Sequence, residues 1–230
     1  MNFAVEGLIV RQVSSHELAR LLGYPPGHSL SEEASALVTE ALDWYAGNGR
    51  PRVVAAEHRL EAIRDDRVLL DGITFQSGAL ADRFRKAEAA SLVAVQITAG
   101  TEVDEEVSAR WRRERPDAGY FLDRLAAAVV EHLTRWMQAR LCLEKEAEGL
   151  SVTSHYSPGY RGWDIDQQSV LYPLTSTGPT TVMLLDSGML FPKHSMLAVY
   201  GVGPNAVEST SPCRTCDFTP CDFRRYAHAS

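Results

Sequence analysis

His155-Tyr156-Ser157-Pro158-Gly159-Tyr160 is the stretch from which this chain is best understood. Pro158 fixes its own φ and pushes Ser157 out of the helical region, while Gly159 permits conformations that a side chain forbids. A Pro-Gly pair is therefore a sharp turn, and such a turn lets main-chain groups come close to a ligand. Tyr160 brings a ring and a hydroxyl to the exit of the turn. Taken alone, the six residues also suit a plain connecting turn with an aromatic plug. The neighbouring segments decide between the two. A β-type run over 151–156 leads in. A helix start near Asp164 follows, where Asp164 and Gln167 have the spacing of a capping box for a helix through about Leu174.

Upstream, residues 117 to about 149 carry the longest helical pattern. Leu122, Leu125, Val129, Leu133, Trp136 or Met137, and Leu141 form one stripe, with Glu131, Arg135 and Gln138 off it. If continuous, this helix is about 45 Å long, enough to span a domain and pack on a sheet. Pro116 ends the preceding helix, which starts at Thr101 with Glu102, Asp104 and Glu105 at the positive end of the helix dipole. Residues 92–97 read as a buried strand. Val68-Leu69-Leu70, Asp71-Gly72 and Ile73-Thr74-Phe75 predict a hairpin, because Asp-Gly supplies the positive φ of a tight turn. Gln76-Ser77-Gly78 then opens a short helix through Arg85. Residues 53–60 predict a strand. Residues 31–45 predict an amphipathic helix on Ala34, Leu37, Val38, Ala41, Leu42 and Tyr45, ended by Gly47-Asn48-Gly49. Ser14 or Ser15 caps a short helix through Leu22, after a β-type run at Gly7-Leu8-Ile9-Val10.

Downstream, 180–185 and 196–201 read as strands joined by an irregular loop from Asp186 to Ser195, the kind of loop that lines sites. Hairpins and helices without strict strand–helix alternation predict an α+β fold with a largely antiparallel sheet. The expected organisation is an N-terminal strand and helix segment (1–50) packed on a main unit (51–205), followed by a Cys-rich tail (206–230).

Composition narrows the function classes. The chain has 230 residues, 45% hydrophobic and 23% charged, which suits a globular protein with a real core. A net charge of −7 argues against a nucleic-acid partner, which needs a basic face. No apolar run of about 18 residues is present to span a membrane. The start, Met1-Asn2-Phe3-Ala4-Val5-Glu6, lacks a basic and apolar leader, so a cytoplasmic protein is expected. No Ser-His-Asp set or glycine-rich phosphate loop stands out.

The order of these features resembles a known family. A Thr-x-Gly turn precedes an acidic helix and then a long helix. Ser157-Pro158-Gly159-Tyr160, Trp163 and a capped helix carrying Gln167 follow, and a Ser187-x-Met189-x-x-Pro192-x-x-Ser195 loop precedes a strand. This set, over roughly residues 50–205, is similar to the reactivation domain of cobalamin-dependent methionine synthase in a small stand-alone form. The resemblance implies a C-shaped α+β unit with a twisted antiparallel sheet and a long central helix. It implies S-adenosylmethionine bound near the Pro-Gly-Tyr turn, and a cobalamin-bearing (corrinoid) protein or methyltransferase docked over the same surface. A reductase would supply the electron for reductive methylation of oxidised cobalt. Ser157, Pro158, Gly159 and Tyr160 would then face the donor and the corrin, with Tyr160 nearest the chemistry. Asp186, Ser187, Met189 and Ser195 would lie along the corrin. Glu131 is a candidate contact for the donor amine or ribose. The family's arginine, five residues before the tyrosine, is His155 here, and Arg161 is the nearest other cation to grip a carboxylate. Such a domain needs no nucleophile of its own, because it orients two reactive partners and excludes water.

Cys213-x-x-Cys216-x4-Cys221 is a second feature with chemistry. Three thiolates so spaced suit a metal, with zinc and an iron–sulfur cluster both open, and Cys142, His228 or an outside group as the fourth ligand. Free or oxidised thiols on a loose tail are the plainer alternative. Two further readings follow. One is a module that docks on a corrinoid protein but has lost the donor site. The other is a metal- or cluster-carrying redox protein built on the tail.

Overall fold

The computed structural model describes residues 2–4, 13–25, 28–175 and 182–206. The run Gly7-Leu8-Ile9-Val10 and the cysteines Cys213, Cys216 and Cys221 lie outside the described residues.

One antiparallel sheet divides the molecule into two cores. Its strands are β1 (Asn2–Ala4), β2 (Arg52–Arg59), β6 (Ser91–Thr98), β7 (Ser151–Val152) and β10 (Ser195–Gly203), in the spatial order β1-β2-β6-β10-β7. Every neighbouring pair is antiparallel. β6 lies at the centre, with Val95 opposite Ala55 on one side and Ala198 on the other. Both of its faces are covered, which is why its sequence, Ser-Leu-Val-Ala-Val-Gln-Ile-Thr, is nearly continuous in apolar residues rather than alternating.

The face presenting Val53, Ala55, Val93, Val95, Ile97, Ala198 and Tyr200 packs against helices. These are α1 (Ser15–Leu21), α2 (Glu32–Asn48), α4 (Thr101–Arg112) and α5 (Pro116–Glu146). α5 is the 31-residue helix that the sequence predicts, with Pro116 in its first turn, where the missing N–H costs nothing. Leu122, Leu125, Val129, Leu133, Met137 and Leu141 are all buried, so Met137 rather than Trp136 takes the inward position. Two tyrosines tie helix to sheet. The Tyr45 hydroxyl donates to Ala99 O at 2.6 Å, and the Tyr200 hydroxyl to Thr134 O at 2.9 Å. The segments before residue 50 thus share this core through Leu18, Leu21, Val38 and Tyr45.

The other face presents Leu92, Ala94, Leu197 and Val199. It is covered by a three-stranded sheet, β3 (Ala62–Arg64), β4 (Arg67–Leu70) and β5 (Ile73–Gln76), and by α3 (Gly78–Lys86) and α6 (Gln168–Thr175). The Asp71-Gly72 corner joins β4 to β5 with both φ values positive, 47° and 72°, as the two-residue hairpin requires.

Two expectations need correction. Of the strand expected over 180–185, the described residues show only a short piece. Thr180 and Thr181 lie outside the described residues, and only β8 (Met183–Leu184) is extended. It pairs with β9 (Leu190–Phe191), so the supposedly irregular loop is a small hairpin turned by Gly188 at φ 79°. Strands of two residues are too short to show an alternating pattern. The second correction concerns Gln167, which does not close a capping box. Asp164 caps the 3-10 turn Ile165–Gln167 by accepting from Asp166 N at 3.0 Å. The Gln167 amide instead accepts from Gln76 N at 2.9 Å, joining the turn to β5.

Candidate functional site

The turn at Pro158-Gly159 grows out of the outer edge of the sheet. Residues 153–156 run on from β7 alongside β10, where Tyr156 bridges Val199. Side chains alternate along such an edge. Tyr156 therefore enters the second core, and His155 points the other way, its ring centroid 6.2 Å from that of Tyr200.

The turn is rigid because its own groups satisfy one another. Gly159 N donates to Trp163 O at 2.8 Å, Trp163 N to Tyr160 O at 2.9 Å, and Tyr160 N to Ser157 O at 3.0 Å. Gly159 sits at φ 89° and Gly162 at φ 80°, in the left-handed region that favours glycine. A Cβ on Gly162 would also meet the Ala79 Cβ at 2.9 Å. Tyr156 stacks on Trp163 with the rings 6° from parallel, and the Tyr156 hydroxyl donates to Arg161 O. Ser157 and Pro158 are buried, and the Ser157 hydroxyl donates to Leu197 O at 2.6 Å. These two residues hold the turn to β10.

His155 and Tyr160 come together as a pair. His155 Nε2 lies 3.1 Å from the Tyr160 hydroxyl, and the rings meet edge to face with centroids 5.8 Å apart. Burial, and then the positive charge of Arg83, push the His155 pKa down to about 4, so the imidazole is neutral near pH 7. Its Nδ1 is buried without a hydrogen-bond partner. Arg83, on α3, closes the group from beneath. It donates to Ser154 Oγ at 2.7 Å, and its guanidinium carbon lies 4.7 Å from the Tyr156 ring centroid. The sequence gives no local sign of Arg83 here, because it arrives from a short helix 71 positions before Ser154 in the chain.

The other expected residues are more scattered. Arg161 is exposed on the turn. Glu131 pairs with Arg20 of α1 at 3.5 Å. Asp186, Ser187 and Met189 are exposed at the tip of the β8–β9 hairpin, and the Ser187 hydroxyl accepts from Met189 N at 3.4 Å. Ser195 stands apart from them at the start of β10, donating to Thr98 Oγ1 at 3.0 Å. The hairpin itself is an exposed apolar tongue of Met183, Leu185, Met189 and Phe191. Gln168 Nε2 donates to Gly188 O at 2.6 Å, and the Tyr172 hydroxyl to Val182 O at 3.0 Å, so α6 carries both ends of the tongue.

Beside the turn lies an open hollow of about 420 Å³, bounded by Ser77, Gly162, Trp163, Asp66 and Asp164. A second hollow, of about 580 Å³, lies between α2 and α4 and is lined by Trp44, Arg50 and Glu102. No group of three His, Cys, Asp or Glu residues among the described residues could hold a metal ion. No described helix is long and apolar enough to cross a membrane.

No family model matches the sequence, and no curated protein matches it. Among solved structures, the chain is similar to the MetH reactivation domain bound to AdoHcy, at a TM-score of 0.69 and 14% identity. The match covers 93% of this chain and 81% of that one. The two-core α+β architecture built on a wholly antiparallel main sheet is therefore the fold of the MetH reactivation domain.

Proposed function

We propose that this chain is a corrinoid-protein reactivation module. It binds S-adenosylmethionine at the His155–Tyr160 edge and docks on a cobalamin-bearing protein through the apolar β8–β9 tongue. The observation that carries the reading is the shared fold, seen in a neighbour bound to AdoHcy, together with a polar edge site at the Pro-Gly-Tyr turn. The donor's sulfonium and the partner's cobalt supply the reactive pair, and an outside reductase supplies the electron. The residues of this chain contribute position. The Tyr156–Trp163 stack and the internally bonded turn hold Tyr160 and His155 in one geometry. The neutral imidazole and the phenol offer hydrogen bonds without adding charge beside a cationic donor. Met189 and Phe191 exclude water where the partner sits.

Calorimetric titration of the full chain with S-adenosylhomocysteine tests the donor site. Saturable binding, with S-adenosylmethionine competing for it, is the expected result. No heat in the presence or absence of a corrinoid protein removes the donor role. A specific observation favours a second reading, in which the module docks but holds no donor. Three of the turn's main-chain N–H groups bond within it, Ser157 and Pro158 are buried, and the adjoining hollow opens at Gly162 and Trp163 rather than at Gly159. In that case a corrinoid protein co-elutes with the chain while the donor titration stays flat.

A further inference from the structure

Among the described residues, the arginines withdrawn from water follow a rule, and Arg83 breaks it. Arg110 is buried and pairs with Glu106 at 3.0 Å and Glu40 at 3.5 Å, and it also donates to Ala118 O. Arg83 is half-buried, yet among the described residues no carboxylate pairs with it. Its neighbours are the Ser154 hydroxyl and the face of Tyr156. A guanidinium has five N–H donors, and only one is used here. A cation drawn out of water with spare donors and no counter-charge is costly, and an anion arriving at the site offsets that cost.

The surroundings choose the anion. His155, next to Ser154, is neutral and turns a hydrogen bond toward the Tyr160 hydroxyl, while its Nδ1 has no partner. Ser154, Tyr160 and the imidazole can each serve an oxygen without adding negative charge. One cation suits one negative charge, and the planar fork of arginine matches the two oxygens of a carboxylate. A phosphate would bring up to two charges against that single cation.

We propose that Arg83 anchors the carboxylate of the ligand bound at the His155–Tyr160 edge. This rests on the reading that the edge holds a donor with an amino-acid head. It assigns the charge recognition to α3, an element not expected from the sequence to take part.

The test compares S-adenosylhomocysteine with its carboxyl methyl ester, titrated into the full chain. The acid is expected to bind about tenfold more tightly than the ester, as one charge-assisted pair would give. In Arg83→Gln that preference should fall to about one, with ester affinity within about twofold of wild type. Arg161→Gln should keep the preference. An unchanged preference in Arg83→Gln overturns the proposal and leaves donor binding standing. If wild type binds neither nucleoside, the donor reading fails by itself. The anchor is then read from the Arg83 Nε–H resonance during titration with sodium acetate against sodium chloride at equal ionic strength. That resonance is identified by its loss in Arg83→Gln. A saturable shift with acetate alone supports a carboxylate site, and the same drift with both salts refutes it. Arg83→Lys, which keeps the charge and loses the fork, guards against misfolding. It should retain the wild-type melting temperature within about 2 °C but lose most of the preference.

Discussion

Asp123 shows how much one side chain can hold in this protein. It is nearly buried on α5, and its carboxylate meets Lys193 Nζ at 2.6 Å, His194 Nε2 at 2.9 Å and Arg124 at 3.2 Å. Burial alone would raise its pKa, but the hydrogen bonds from His194 and Lys193 outweigh that and hold it well below the usual carboxylate range. Asp123→Asn leaves Lys193 and Arg124 facing a neutral amide and should cost about 2–4 kcal/mol at pH 7. The pH dependence has a definite sign. A carboxylate with a lowered folded pKa gives its full stability above the unfolded pKa near 4 and loses it as the pH falls below that. The gap in melting temperature between wild type and Asp123→Asn should therefore shrink on moving from pH 7 to pH 3. A gap of constant size would mean that the carboxylate charge is not what matters. His155 gives a different window. Its folded pKa of about 4 lies below the unfolded value near 6.5, so the unfolded state gains a proton first. Wild type should lose stability between about pH 6.5 and 4, and His155→Gln should lose less across that range. His155→Arg would place a second cation beside Arg83 and should cost about 1–3 kcal/mol, recovered when Arg83→Gln is added to the same chain.

At the level of elements, the tongue and the turn were unequally legible in the sequence. Local chemistry revealed the Asp71-Gly72 hairpin, the cap at Ser14 or Ser15, the helix starts near Ser31 and at Gln76-Ser77-Gly78, and the long helix, because each is decided within a few residues. The β8–β9 hairpin was not legible, since its strands are two residues long and α6, rather than its own pattern, holds it through Gln168 and Tyr172. Of the site, the His155–Tyr160 pair lies within one turn and could be anticipated. Arg83 could not, because only the packing of α3 against the sheet edge brings it to Ser154 and Tyr156. Met183, Met189 and Phe191 are exposed, and the docked partner proposed above would account for an apolar surface there. Met189→Glu should leave the melting temperature within about 2 °C and weaken co-elution with a corrinoid protein by about tenfold or more. An equal affinity for the partner would remove the tongue from the interface. Gly201 tests the sheet side of the same region. A Cβ there would meet the Phe84 ring at 2.7 Å, so Gly201→Ala should cost about 1–3 kcal/mol through overpacking, seen as a lower denaturant midpoint.

For the whole molecule, the decisive fact is that one sheet serves two cores and that β10 belongs to both. Ala198 and Tyr200 face the helical side, while Leu197 and Val199 face the side that carries the turn and tongue. Any strain in β10 is therefore felt at both the scaffold and the site, which ties the edge geometry to overall stability. The described side chains of the two cores extend to Val202, and the buried Ala206 is the last described residue. A chain ending at Ala206 should accordingly keep its melting temperature within about 2 °C and its affinity for S-adenosylhomocysteine within about twofold. Metal measured by elemental analysis should be present in the full chain and absent from both the truncated chain and a Cys213→Ser, Cys216→Ser, Cys221→Ser variant. Full-length protein without metal, retaining three titratable thiols, would dispose of the metal role. Loss of nucleoside binding on truncation would instead make the tail part of the donor site, and the edge at His155 and Tyr160 could no longer be regarded as complete in itself.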